Sequence, residues 1–351
     1  MIKALAFLLA LSAWAETGSA QDEASSYLFY VASESDDEVT LLRFDPAVGL
    51  TVEKEITVGL YAAENESPHG VFLSPDKDRW YVTLGHGFPF GSLWEYETGT
   101  DTAIGRVDLG LFPSTVSVPP FGGLAFVANS NFHGDMVPGT VSIVDLQTMT
   151  ELEQVETCVM PHGSRFSADG LKHYSVCMRT DELIEIDLST FQVSRRLDVA
   201  PSGAGRCSPT WVQPTGDGQA AFVACNQSHE LLEISLDAWS VTRRLEAPSA
   251  PYNIAVTPDD GRVVVTQKGS AQVSIWDRAT GRRIALLPSA RRVTHGVAVS
   301  PDSRYAFVSV EGIGGEPGAV DVIDLESLEV VATQDVGKQA GGIAFWKMEN
   351  S

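Results

Sequence analysis

One phrase recurs along the chain and restricts its fold more than any other feature. A turn-rich stretch precedes an aromatic or apolar strand ending in small residues, as in Ser74-Pro75-Asp76 then Trp80-Tyr81-Val82-Thr83. It returns as Pro119-Pro120 then Ala125-Phe126-Val127-Ala128, as Ser167-Ala168-Asp169-Gly170 then Tyr174-Ser175-Val176, and as Thr215-Gly216-Asp217-Gly218 then Ala221-Phe222-Val223-Ala224. Thr257-Pro258-Asp259 with Val263-Val264-Val265 and Ser300-Pro301-Asp302 with Ala306-Phe307-Val308 continue the series. A second signature follows each, such as Val141-Ser142-Ile143-Val144-Asp145 or Leu183-Ile184-Glu185-Ile186-Asp187, alternating apolar and polar as half-buried strands do. A period of 42 to 48 residues holding four short strands is one propeller blade. Aligned on the turn phrase, the innermost strands start near residues 69, 114, 162, 210, 252, 295 and 341, which makes seven blades. Gly341 to Trp346 supplies the inner strand of the last blade, and Tyr27–Val31 and Val39–Phe44 supply outer strands from the other end of the chain. That closure leaves no free sheet edge where the chain ends meet. The expected fold is therefore all-β, one seven-bladed propeller over residues 21–351.

Residues 1–20 read as a secretory signal peptide. Lys3 gives a positive start, Ala4 to Ala15 is apolar, and Gly18-Ser19-Ala20 offers small residues for cleavage after Ala20. The apolar run is too short for a membrane span, so a periplasmic or secreted protein with no membrane insertion is expected. The 24 Lys and Arg against 46 Asp and Glu leave a formal charge of −22, which excludes a nucleic-acid partner that relies on clustered cations. A monomer is expected; a protein partner is left open. Among catalytic motifs there is no Gly-x-Ser-x-Gly elbow, no His-Glu-x-x-His and no phosphate loop. Without Cys-x-x-Cys-His there is no covalent haem c site.

Tyr81-Val82-Thr83 nearly spells the signature of the YVTN β-propellers, and the repeat resembles that family over about residues 27 to 346. The resemblance implies kinship with a wider group of lactonase-like propellers, amine dehydrogenase heavy chains and haem d1-binding propellers. That group shares architecture rather than activity, so it carries no catalytic residue to this chain.

The seven histidines are distributed unevenly. His69, His162 and His295 share one register, each before a glycine at the start of an inner strand. His86, His133 and His229 follow second strands, which return to the same face; His173 lies at the opposite end. His69, His162 and His295 fall in blades one, three and six, so they approach the axis from nearly trigonal directions. Three converging imidazoles with an open outer side are what a labile or catalytic metal site needs. All six histidines on this face are candidate ligands for a transition metal. Met136, Met160 and Met178 nearby put copper ahead of zinc or iron. Alternatively, the imidazole of each His-Gly pair caps a backbone carbonyl.

Blade alignment places Cys158 beside Cys177 and Cys207 beside Cys225 on adjacent antiparallel strands, predicting two disulfides, with thiolate ligation of a metal as the alternative. Arg165, Arg179, Arg206 and Lys268 are expected near the histidine-rich mouth, where Arg165 and Arg206 could hold an anionic cofactor or substrate. Tyr252 and Trp211 start inner strands and could wall a small-molecule site. Three functions remain open on this reading: a periplasmic metalloenzyme, a non-catalytic binding propeller such as a metal chaperone or scaffold, and a metal-free hydrolase or lyase using a channel histidine as base.

Overall fold

The computed structural model describes residues 25–61, 63–86, 91–203 and 205–350; the expected signal peptide lies outside them. Among these residues there are twenty-eight strands in seven four-stranded antiparallel sheets, and no helix. The inner strands are β4 (Pro68–Leu73), β8 (Pro113–Ser117), β12 (Pro161–Phe166), β16 (Pro209–Pro214), β20 (Pro251–Val256), β24 (Thr294–Val299) and β28 (Ala340–Asn350). Each touches the next, and β28 touches both β24 and β4, so the ring is closed. In the closing sheet β28 pairs with β1 (Ser25–Ser33), which is followed by β2 (Glu38–Asp45) and β3 (Gly49–Thr57). The split blade expected from the repeat is thus present.

Apolar faces of neighbouring sheets interlock to form the core. Across the closing seam Tyr30 stacks on Trp80, and Trp80 stacks on Tyr96 with ring centroids 4.0 Å apart. Asp101 accepts hydrogen bonds from both the Tyr30 hydroxyl and the Trp80 indole, so the two polar atoms that this packing buries stay satisfied. The Ser/Thr-x-Asp phrases are hairpin turns. Asp169, Asp217 and Asp259 each accept from the hydroxyl two residues earlier and the backbone N–H two residues later.

Both disulfides join the expected partners, Cys158 to Cys177 and Cys207 to Cys225, with Cα atoms 5.9 and 4.5 Å apart. The sulfurs are therefore spent on structure and leave the set of candidate metal ligands. Cys158 lies one residue before the end of the outermost strand of one blade and Cys177 ends the second strand of the next, so this bridge ties two blades together. Loops of 19 and 18 residues predict about 3 kcal/mol of stabilisation per bridge from restriction of the unfolded chain. Replacing Cys158 and Cys177 together by serine is expected to lower the unfolding free energy by about that amount, as measured by urea titration, with an m-value that rises because the uncrosslinked unfolded chain exposes more surface. A loss under ~1 kcal/mol would mean that blade packing alone fixes this seam.

Candidate functional site

At the start of each inner strand the pairing with the second strand slips. Pro68 faces Leu84 and Val71 faces Val82, so His69 and Gly70 together oppose the single residue Thr83. The same bulge holds His162-Gly163, Tyr252-Asn253 and His295-Gly296. A bulge re-aims the side chain it carries, here from the sheet face toward the channel. It is held by a hydroxyl from the second strand: Gly70 N–H donates to Thr83 Oγ1 at 2.8 Å, Asn253 N–H to Thr266 Oγ1 at 2.9 Å and Gly296 N–H to Ser309 Oγ at 2.8 Å. The glycine after the histidine has its own reason. A Cβ at Gly70, Gly163 or Gly296 would lie 2.5–2.6 Å from the backbone carbonyl of the adjacent inner strand. The His-Gly phrase is thus a tight inter-blade crossing that presents an imidazole to the axis.

The mouth so formed holds a cavity of about 520 Å³. His69, His295 and Tyr252 line it, with Phe112 and Phe132 on one wall and the exposed His86 and His133 at its rim. His86 and His133 stack at 5.3 Å; burial, then the neighbouring His133, lower the pKa of His86.

His69 stands at the centre. Its ring centroid is 5.9 Å from that of His162 and 5.4 Å from that of His295. Its Nδ1 is bonded to the Glu34 carboxylate, whose other oxygen accepts from the Gln339 amide at 2.7 Å. A carboxylate only accepts, so Nδ1 carries a proton, and in the neutral ring Nε2 presents a lone pair. That Nε2 is buried and has no hydrogen-bond partner. His162 lies behind the cavity wall, fully buried among Phe132, Trp211 and Tyr252. Its Nδ1–H donates to the Thr210 carbonyl at 2.8 Å, and its Nε2 lies 3.3 Å from the Tyr252 hydroxyl. Burial, reinforced by His69, drops the His162 pKa to about 3; burial, then Lys268, pulls that of His295 well below its ordinary value. Both rings are neutral at physiological pH. Lys268 Nζ sits 2.6 Å from Glu311 Oε1 and 4.3 Å from the Tyr252 ring centroid, while His295 Nε2 is 3.7 Å from the same carboxylate oxygen.

The other candidates are dispersed. His229 is exposed outside the cavity, its Nδ1 accepting from Ala250 N–H at 3.0 Å. Arg206 pairs with Asp181 at 3.0 Å and does not line the cavity. Arg165 lies further down the channel and lines the opposite mouth. Met178 lines the cavity, Met160 is buried and Met136 is 59 % exposed. The expected trigonal arrangement is only partly assembled, because Tyr252 stands between His162 and the open space. Among the described residues no group of three or more His, Cys, Asp or Glu side chains is disposed to hold a metal ion.

Glu34 and Glu311 were not singled out from sequence. They follow Ser33 and Val310, the last residues of β1 and of β25 (Tyr305–Val310), as Met178, Asn226 and Lys268 follow the second strands of their blades. The position immediately after each second strand was the signal that could have found them.

No family model and no curated protein sequence matches this chain. Solved structures do. A periplasmic gluconolactonase of Pseudomonas aeruginosa superposes with a TM-score of 0.73 at 19 % identity, over 92 % of this chain and 99 % of that one. Hydrazine synthase of Kuenenia stuttgartiensis does so with a TM-score of 0.64 at 21 % identity, over 76 % of this chain and 81 % of that one. At these identities the likeness is one of fold. The chain is a seven-bladed β-propeller.

Proposed function

We propose that this protein is an exported enzyme that opens a cyclic ester of a small, oxygen-rich molecule, with His69 as general base. One observation carries the reading: a buried imidazole in the wall of the cavity, with Nδ1 held by Glu34 and Nε2 left with no hydrogen-bond partner. That is the arrangement of an oriented base, with the carboxylate fixing the tautomer and stabilising the imidazolium. His69 Nε2 takes a proton from water, and the resulting hydroxide adds to the ester carbonyl carbon. The ring C–O bond then breaks, and the departing alkoxide takes the proton back from the imidazolium. Lys268 and Tyr252 supply a cation and a hydroxyl to hold oxygen substituents, and Phe112 and Phe132 supply a ring-sized apolar wall. Likeness in fold to a periplasmic gluconolactonase puts sugar lactones first among substrates. The two disulfides support an exported location.

The test is acid release from glucono-δ-lactone and a lactone panel, corrected for spontaneous hydrolysis, with and without EDTA. The expected result is an enzymatic rate unchanged by chelation. No rate above background on any lactone overturns the reading; saturable binding of a lactone without turnover would leave a binding propeller.

A second reading is a transition-metal site, copper before zinc or iron. It is favoured by the Nε2 lone pairs of His69 and His162 on rings 5.9 Å apart. It requires the Tyr252 hydroxyl to release His162. About one equivalent of metal on protein purified without a histidine tag, lost in His69→Ala and in His162→Ala, would establish it and displace the first. Metal-free protein that still turns over a lactone would remove it.

A further inference from the structure

The opposite end of the channel differs in character from the histidine mouth. It opens into a cavity of about 530 Å³ walled by apolar side chains from six of the seven inner strands, including Val71, Val256, Val299 and Phe345. Two cations line it, Arg165 and Lys77, and no Asp or Glu does so among the described residues. In a chain with 46 acidic residues and a formal charge of −22, that is a local reversal of sign.

Arg165 is the informative residue. It sits on β12 past the His162 bulge, where the channel narrows to a space of about 20 Å³ that separates the two mouths. Its guanidinium lies 4.7 Å from the Trp211 ring centroid and 5.8 Å from that of Phe72. Its only hydrogen bond among the described residues is to the carbonyl of its own neighbour, Ser164, at 2.7 Å. Burial alone acts on its pKa, lowering it to about 10, so it remains a cation at neutral pH with no anion beside it. A guanidinium has five donors in a planar fork; Arg165 is half-buried, and the donors that Ser164 does not take open on the cavity, where an anion can meet them. At the rim Lys77 adds a second cation, its Nζ 3.4 Å from the Phe345 carbonyl. Pro120 belongs to the same wall, and Phe121 beside it is 60 % exposed, extending the apolar surface outward.

We propose that this second mouth binds an amphiphilic carboxylate, an apolar chain or ring bearing one anionic head, with the head on Arg165 and the body against the valine-rich wall. The two ends of the channel would then sort ligands by chemistry. Glu34 and Glu311 face the histidine cavity and repel a second carboxylate, whereas the far mouth attracts one and offers few polar partners to a sugar. The inference does not depend on the reaction at His69.

The test is calorimetric titration of the intact mature protein with decanoate, and with 1-decanol as its uncharged counterpart. Decanoate is expected to bind one-to-one with Kd below ~100 µM, and decanol at least tenfold more weakly, as a charge-assisted pair of ~1.5 kcal/mol or more requires. Arg165→Met should weaken decanoate at least tenfold and leave decanol unchanged; Lys77→Met, at an exposed site, should weaken decanoate about threefold. Equal affinity for acid and alcohol, no saturable binding up to 1 mM, or an unaltered Arg165→Met variant would overturn the proposal. If Arg165→Met does not fold, the acid-to-alcohol ratio and Lys77→Met decide the matter.

Discussion

If the proposed reaction holds, His69→Asn is expected to lower lactone turnover by about 10²–10⁴-fold, the range lost when a positioned general base is removed, with the melting temperature near that of the parent. Asparagine retains a side-chain polar group at the Nδ1 position but has no nitrogen at the position of Nε2. Glu34→Gln gives a smaller loss, about 10–100-fold, because Glu34 acts through the imidazole rather than on the substrate. Its distinguishing readout is the split between kcat and KM: kcat falls while KM holds, because the carboxylate orients the base and does not touch the substrate. A Glu34→Gln variant with full kcat would make Glu34 a packing residue. A His69→Asn variant with full turnover would sink the assignment of the base. The two are best measured as a cycle with the double variant, since residues that act as a unit are not additive.

Acid is expected to destabilise this protein in large part through its buried histidines. His162 and His173 are fully buried, and burial drops both to about pKa 3, against an ordinary 6.5 in the unfolded chain. His173 is packed between Phe126 and Phe166 at 4.8 and 5.0 Å, and neither of its nitrogens has a partner. The folded pKa of each is depressed, so the folded state binds fewer protons than the unfolded one between pH 6.5 and about 3. Their contribution is complete above pH 6.5 and is lost as pH falls through that window. Each histidine costs ~1.4 kcal/mol per pH unit there, so the pair removes ~5 kcal/mol between pH 6.5 and 4.5, a large part of a typical domain's stability. His295, also buried and lowered, adds in the same direction. Asp37, Glu38 and Glu95, raised mainly by burial, oppose it in part. Urea unfolding at half-unit pH steps measures the slope. His173→Leu should reduce it by one proton and raise stability at pH 5 relative to the parent; an unchanged slope would show that His173 is protonated in the fold.

Much of this architecture is legible in the chain because a propeller is built from local hairpins. Each blade's alternation and turn chemistry are written within fewer than 50 residues, so seven inner strands, a split closing blade and two bridges could be placed by counting. The identical register of His69, His162 and His295 was legible for the same reason. What those imidazoles do was not. What each imidazole meets depends on what other blades bring: Tyr252, two blades on, screens His162, and Glu34, at the other end of the chain from Gln339, claims Nδ1 of His69. Arg165 stands three residues past His162 yet belongs to the opposite mouth. The alignment could place it only on a strand, not along the depth of a channel that is little longer than one strand. Repeat count, strand order within the unbroken blades and disulfide pairing follow from sequence alone, because they depend on contacts between near neighbours in the chain, and the split blade follows from the count. The His69–Glu34 pair, the shielding of His162 and the cation-only mouth were decided by ring closure, which sets side by side residues that no local pattern relates.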